Sequence, residues 1–122
     1  MKRILQPPVF ALLLFWVTLS ASATERVLQK KISVSRTLAG HVLVWGNEPA
    51  SGVTVELCSR DWKTALASTK TDEKGYFSLR QPAAGRLFYL RVWAPGMNIY
   101  DLRVRISKKT AKELTIRLSV AT

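Results

Sequence analysis

The chain holds a single histidine, His41, and a single cysteine, Cys58, and that scarcity limits the chemistry open to it. A zinc site takes three or four Cys, His or carboxylate ligands, so one of each leaves the rest to carboxylates that no ligand spacing gathers. A serine nucleophile needs a base beside it. No Gly-x-Ser-x-Gly is present, and only His41 could take the proton. No glycine-rich phosphate loop occurs either. Glu48, Asp61, Asp72, Glu73 and Asp101 could meet in space as paired carboxylates, but they fall mostly in turn-like stretches, where short acidic side chains close onto their own backbone. The residues therefore predict no catalytic set, no metal and no cofactor. A small hydrolase built on His41 and turn carboxylates is the weakest of three functional readings.

Cys58 cannot form a disulfide within the chain. It is either an intermolecular bridge or reactive thiol, or a small, partly covered apolar residue. The second fits better, because no histidine or CxxC partner stands nearby in sequence to activate it.

Binding chemistry has more material. Trp45, Tyr89, Arg91, Trp93, Arg103, Arg105 and Arg117 all alternate away from the apolar sets that read as core. Aromatic faces interleaved with guanidinium groups suit a sugar, an acidic glycan or a protein partner. The same pattern also fits a face covered from within, by the N-terminal segment or by the loop that carries Trp62, since exposed tryptophans are costly unless covered.

These residues need strands to hold them, and period-two alternation supplies them. Residues 38–46 set Leu38, Gly40, Val42 and Val44 against Ala39, His41, Leu43 and Trp45, a strand covered in part on both faces. Residues 47–52 are rich in breakers. In 53–59, Val53, Val55 and Leu57 alternate with Thr54 and Glu56. A loop over 60–63 leads to a returning strand at 64–70, and another strand is predicted at 76–80. In 86–94, Phe88, Leu90, Val92 and Ala94 alternate with Tyr89, Arg91 and Trp93, and the central arginine marks the second set as outer. After a Pro95-Gly96 turn, Tyr100, Leu102, Val104 and Ile106 alternate with Asp101, Arg103 and Arg105. A turn at Lys108-Lys109-Thr110 precedes a last strand with Leu114, Ile116, Leu118 and Val120 inward. Seven or eight short strands without helical periodicity predict an all-β sandwich.

The stretch 71–79 ties these elements together. Asp72 is placed to close a side-chain turn two residues on, Gly75 to supply positive φ, and Phe77 and Leu79 to enter the core. Three features occur in order: Leu38-Ala39-Gly40-His41-Val42 followed by Pro49-x-x-Gly52-Val53-x-Val55-x-Leu57; Thr71-Asp72-x-x-Gly75-x-Phe77-x-Leu79; and Leu87 to Val92 closing in Ala94-Pro95-Gly96. Together they resemble the carboxypeptidase regulatory-like domain of the transthyretin-like, or prealbumin-like, group across about residues 38–120. The resemblance implies a seven-stranded Greek-key sandwich that serves as an accessory, spacer or adhesive module. An enzymatic relative in that fold group, hydroxyisourate hydrolase, uses several histidines, an arginine and a Tyr-Arg-Gly-Ser tail. This chain has one histidine and closes Leu118-Ser119-Val120-Ala121-Thr122, so that activity is not expected.

Lys2 and Arg3, an apolar run over 9–19 and the small residues Ala21-Ser22-Ala23 form a secretory signal pattern, with cleavage expected after Ala23. The run falls short of the ~18 residues a span needs. Thr24, where a lipoprotein would carry cysteine, argues against lipidation. The predicted organisation is a leader over 1–23, a basic segment and possible edge strand or swapped arm over 24–37, and one sandwich domain over 38–122. Of 19 basic residues two, Lys2 and Arg3, lie in the leader, leaving 17 against 8 acidic and a formal charge of +9. Such an excess favours anionic lipid headgroups, acidic glycans or an acidic protein face, and it also keeps β-edges apart. Secretion argues against nucleic acid. The leading reading is a secreted or periplasmic non-enzymatic module that binds protein or glycan at the bacterial envelope. The second is an accessory subunit that stabilises or tethers a separately encoded enzyme or transporter.

Overall fold

The computed structural model describes residues 25–82 and 86–121. The expected leader lies outside them. The described chain is all-β, with β1 (Arg26–Leu28), β2 (Ser33–Ser35), β3 (Ala39–Val44), β4 (Glu48–Pro49), β5 (Thr54–Cys58), β6 (Ala65–Lys70), β7 (Tyr76–Ser78), β8 (Leu87–Trp93), β9 (Ile99–Ile106) and β10 (Leu114–Arg117). No helix of the described residues is long and apolar enough to cross a membrane. Ten strands exceed the expected seven or eight because β1 and β4 are short extra pieces.

Two sheets enclose one core. Sheet A runs β1-β9-β8-β5-β6, with β2 also on β9, and sheet B runs β10-β3-β4, with β7 also on β3. Alternation puts Val55 and Leu57 of β5, Phe88, Leu90 and Val92 of β8, and Leu102 and Val104 of β9 on the inner face of sheet A. Val42, Phe77, Leu114 and Ile116 meet them from sheet B. Each such side chain taken wholly out of water contributes roughly 1.5–3 kcal/mol, so this shared interior fixes which face of each strand turns inward.

β10 lies parallel to β3 with Leu114 beside Gly40. A Cβ on Gly40 would stand 2.1 Å from the Leu114 carbonyl oxygen, so the close approach of these two strands requires glycine.

The 71–75 segment joins the sheets as its sequence predicts. Asp72 Oδ1 accepts the backbone N–H groups of Lys74 at 2.9 Å and Tyr76 at 3.0 Å. Gly75 has a φ of 77°. Its carbonyl accepts from Val42 N–H at 2.8 Å. Thr71, buried, donates its hydroxyl to the Ala50 carbonyl and accepts from Val53 N–H.

Several expectations shift. β3 ends at Val44 because Trp45, Gly46 and Asn47 all take positive φ, so Trp45 sits in a turn instead of on the strand face. β10 stops at Arg117, and Val120, expected in the core, makes an isolated bridge to Met97 and is exposed. The N-terminal arm pairs within its own chain, parallel to β9. There Val34 faces solvent, whereas Ser35 is fully buried with its hydroxyl donating to the Thr37 carbonyl.

Candidate functional site

The outer face of sheet A carries five of the seven expected binding residues, and the fold occupies most of them. The loop between β5 and β6 closes on itself: Ser59 Oγ donates to Asp61 Oδ1, Lys63 N–H donates to the same oxygen, and Trp62 N–H donates to the Ser59 carbonyl. These bonds hold the Asp61 carboxyl below its usual range, with the Ser59 hydroxyl as the main cause. Trp62, at a φ of 67°, is thereby laid over β8. Its ring meets Tyr89 edge-on at 5.3 Å, and the Arg91 guanidinium stacks 5.6 Å from its centre.

Arg91 is further held by Asp101, its cross-strand neighbour in β9. Nε donates to Oδ1 at 2.8 Å, Nη2 to Oδ2 at 3.3 Å, and Nη1 to the Trp62 carbonyl. The carboxylate bonds raise the Arg91 pKa further. With side-chain exposures of 15% and 5%, this pair is an internal brace. Asp101, in the outward set of its strand as its alternation predicts, is nonetheless buried, and Arg26 of β1 approaches it at 3.7 Å. Arg103 Nη2 donates to the Lys30 carbonyl at 2.6 Å, tying the N-terminal arm to β9. Covering by the Trp62 loop therefore accounts for Tyr89 and Arg91, and the arm accounts for Arg103. Trp93 and Arg105 stay exposed.

Trp45 and Arg117 belong to sheet B and do not join that face. Trp45 is 74% exposed at the far end of β3. Arg117 donates Nε and Nη2 to Asn47 Oδ1 in the adjoining turn. The seven residues are thus split between two sheets.

A different surface gathers charge. From β5 to β10 each strand reverses the direction of the one before it, so successive connections fall at opposite ends. Backbone bonds fix one end: Leu79 N–H to the Leu38 carbonyl, Arg36 N–H to Lys112, Ile106 N–H to Arg86 and Ser107 N–H to Ser35. Arg36, Arg60 and Lys63, Arg80 and Arg86, and Lys108, Lys109 and Lys112 lie in the four connections there, with Arg105 just beneath. The acids at this end are Asp61, engaged in its own loop, and Glu113, which accepts from the Tyr76 hydroxyl. The opposite end is balanced, with Glu25, Glu48, Asp72 and Glu73 beside Arg26, Lys70, Lys74 and Arg117.

Between the β7–β8 connection and the end of β9 lies a hollow of about 480 Å³ lined by Gln81, Arg86, Ile106, Ser107, Lys108 and Lys109. No acidic residue lines it. None of its three cations enters an ion pair among the described residues. In sequence, Lys108 and Lys109 read as a turn and Arg86 as the start of a strand, and none of the three stands among the expected binding residues. The available signal was that cations cluster in alternate connections, which an up-and-down chain must bring to one end.

Cys58 is buried, and burial pushes its thiol up while Arg91 opposes the shift. His41 is exposed on the outer face of sheet B, its ring tilted against Tyr76 at 5.1 Å. No group of three or more potential metal ligands occurs among the described residues. No protein-family model matches the chain, and no curated protein matches it.

Proposed function

We propose that this protein is a secreted, non-enzymatic binding module of the bacterial envelope that docks by its basic end on an anionic surface of lipid headgroups or acidic glycan. The carrying observation is a cationic excess at one end: cations of four separate connections converge there, and Arg86, Lys108 and Lys109 line a hollow without an acidic partner. Cations held near an anionic membrane contribute about 1 kcal/mol each. Three of them acting together change affinity by more than a hundredfold, at 1.4 kcal/mol per decade. The resemblance of residues 38–120 to the carboxypeptidase regulatory-like domain, with its prealbumin-like Greek-key sandwich, supports a module that acts by attachment. So does the dispersal of His41 and the turn carboxylates.

The test is co-sedimentation of the protein with neutral and anionic vesicles, alongside an immobilised acidic polysaccharide, at low and high salt. Binding to an anionic partner should weaken as salt screens the contact. It should fall at least tenfold in the Arg86→Glu, Lys108→Glu, Lys109→Glu triple variant. Binding that ignores both salt and the triple variant would remove the basic end from the reading. The second reading, an accessory subunit for a separately encoded enzyme or transporter, draws on the other end. There Trp45 and Trp93 present apolar area, and capture of a partner lost on Trp45→Ala would favour it.

A further inference from the structure

Strand β6 is the outermost strand of sheet A, and no described residue pairs with its outer side. Between Ala65 and Lys70 its only charge is Lys70 at the very end, so the interior of the strand lacks the lysines and prolines that guard most sheet edges. A bulge opposite Cys58 disturbs only its start. Leu66 stands 63% exposed beside it.

Hydrogen-bond polarity along β6 follows from one contact. Thr71 N–H donates to the Val53 carbonyl, so Thr71 turns its backbone groups toward β5. Backbone direction alternates along a strand, so Thr69 and Ala67 also face β5, opposite Val55 and Leu57. Ser68 and Lys70 therefore turn their N–H and C=O groups outward.

We infer that β6 is the self-pairing edge of a homodimer, in which two copies join antiparallel about a two-fold axis through Ser68 and sheet A continues from one copy into the next. A two-fold perpendicular to the sheet keeps the inner faces of both copies on the same side, as the shared core of each requires. Opposed residues then have the same inward or outward sense, and Ser68 meets Ser68 of the second copy with both outward bonds made. The same register places Leu66 against the aliphatic stem of Lys70 and brings Lys63 beside Glu73 of the second copy.

The in-register meeting of Lys63 with Glu73 selects a second copy as the occupant and antiparallel as the arrangement. Antiparallel pairing lays the basic end of each copy along the opposite end of the other, where Lys70 and Lys74 balance Asp72 and Glu73 and no cationic excess opposes it. Parallel pairing would set two basic ends side by side. The strand is short, so the dimer is weak and concentration-dependent.

Sedimentation equilibrium of the protein over about two decades of concentration tests this, because a weak dimer declares itself by mass action. The weight-average mass should rise toward twice the monomer. Ser68→Pro removes an outward N–H without taking one from β5 and should weaken association at least tenfold. Glu73→Lys, in an exposed turn that leaves the core untouched, should weaken it severalfold, and Lys63→Glu added to it should restore the original constant. A monomer at every concentration would overturn the inference. So would a dimer indifferent to both single variants, or a monomer whose Ser68 and Lys70 amides are protected from exchange, since the chain's own residues would then cover the edge.

Discussion

Arg91 and Lys108 carry the same charge, and neither enters the core, yet the fold treats them in opposite ways. Arg91 rises from the middle of a strand, where fixed neighbours surround it on every side. Asp101 stands opposite it, and the Trp62 carbonyl and ring close over it. Lys108 leaves the end of β9 into a connection, where the strands no longer impose neighbours, and it lines an open hollow with Arg86 and Lys109. The middle of sheet A thus uses its arginines for cohesion, and the hollow at the basic end leaves its three cations without an ion pair among the described residues. An outward-pointing charge becomes a binding candidate only when the fold gives it no internal partner.

The sharpest way to break this comparison is to remove Asp101. Asp101→Ala strands the Arg91 guanidinium in a largely buried position and should cost about 3–5 kcal/mol, read by denaturant unfolding. A loss under 1 kcal/mol would return Arg91 to the binding candidates. A cost of about 3 kcal/mol is also expected for Gly40→Ala, because the added Cβ meets the Leu114 backbone and must push β10 away. Calorimetry of that variant separates strain in sheet B from the brace in sheet A.

At the next level down, Arg117→Ala should lose no more than ~1 kcal/mol, since its bonds to Asn47 are exposed. The triple reversal at Arg86, Lys108 and Lys109 should leave unfolding within about 0.5 kcal/mol per site of the parent while binding collapses. If it unfolds the protein instead, the basic end is structural after all.

The smallest effect concerns pH. The Asp72 carboxyl is held below its usual value chiefly by the backbone N–H of Tyr76. A carboxyl depressed in the folded state supports folding fully above its unfolded pKa, near 4, and loses that support as pH falls through the lower folded value. Asp72→Asn should therefore flatten the acid limb of the stability curve below about pH 4 and leave the curve near neutrality parallel to the parent.

Much of the strand layout was legible because alternation is written directly in residue order. Val55, Leu57, Leu90, Val92, Leu102 and Val104 are inward as their spacing requires. The turn at Asp72 and Gly75 was readable for the same reason, since its bonds span only four residues. Trp45 was misplaced because three consecutive positive φ angles end β3 at Val44, two residues before the expected end at Gly46, and nothing in Val44-Trp45-Gly46-Asn47 forces a tryptophan into that conformation. The burial of Ser35 and exposure of Val34 were not legible in the sequence, because the arm is placed by pairing with β9, some seventy residues away.

By itself, then, the order of residues determined the all-β class, the inward set and the corner at 71–75, all matters of local period and local hydrogen bonding. Tertiary structure alone decided which outward arginines are spent on partners. That choice depends on contacts such as Arg91 with Asp101 and Trp62, which distant segments bring together. It also decided that Arg36, Arg86, Lys108 and Lys112 share one end, because strand direction converts positions scattered along the chain into a single charged surface.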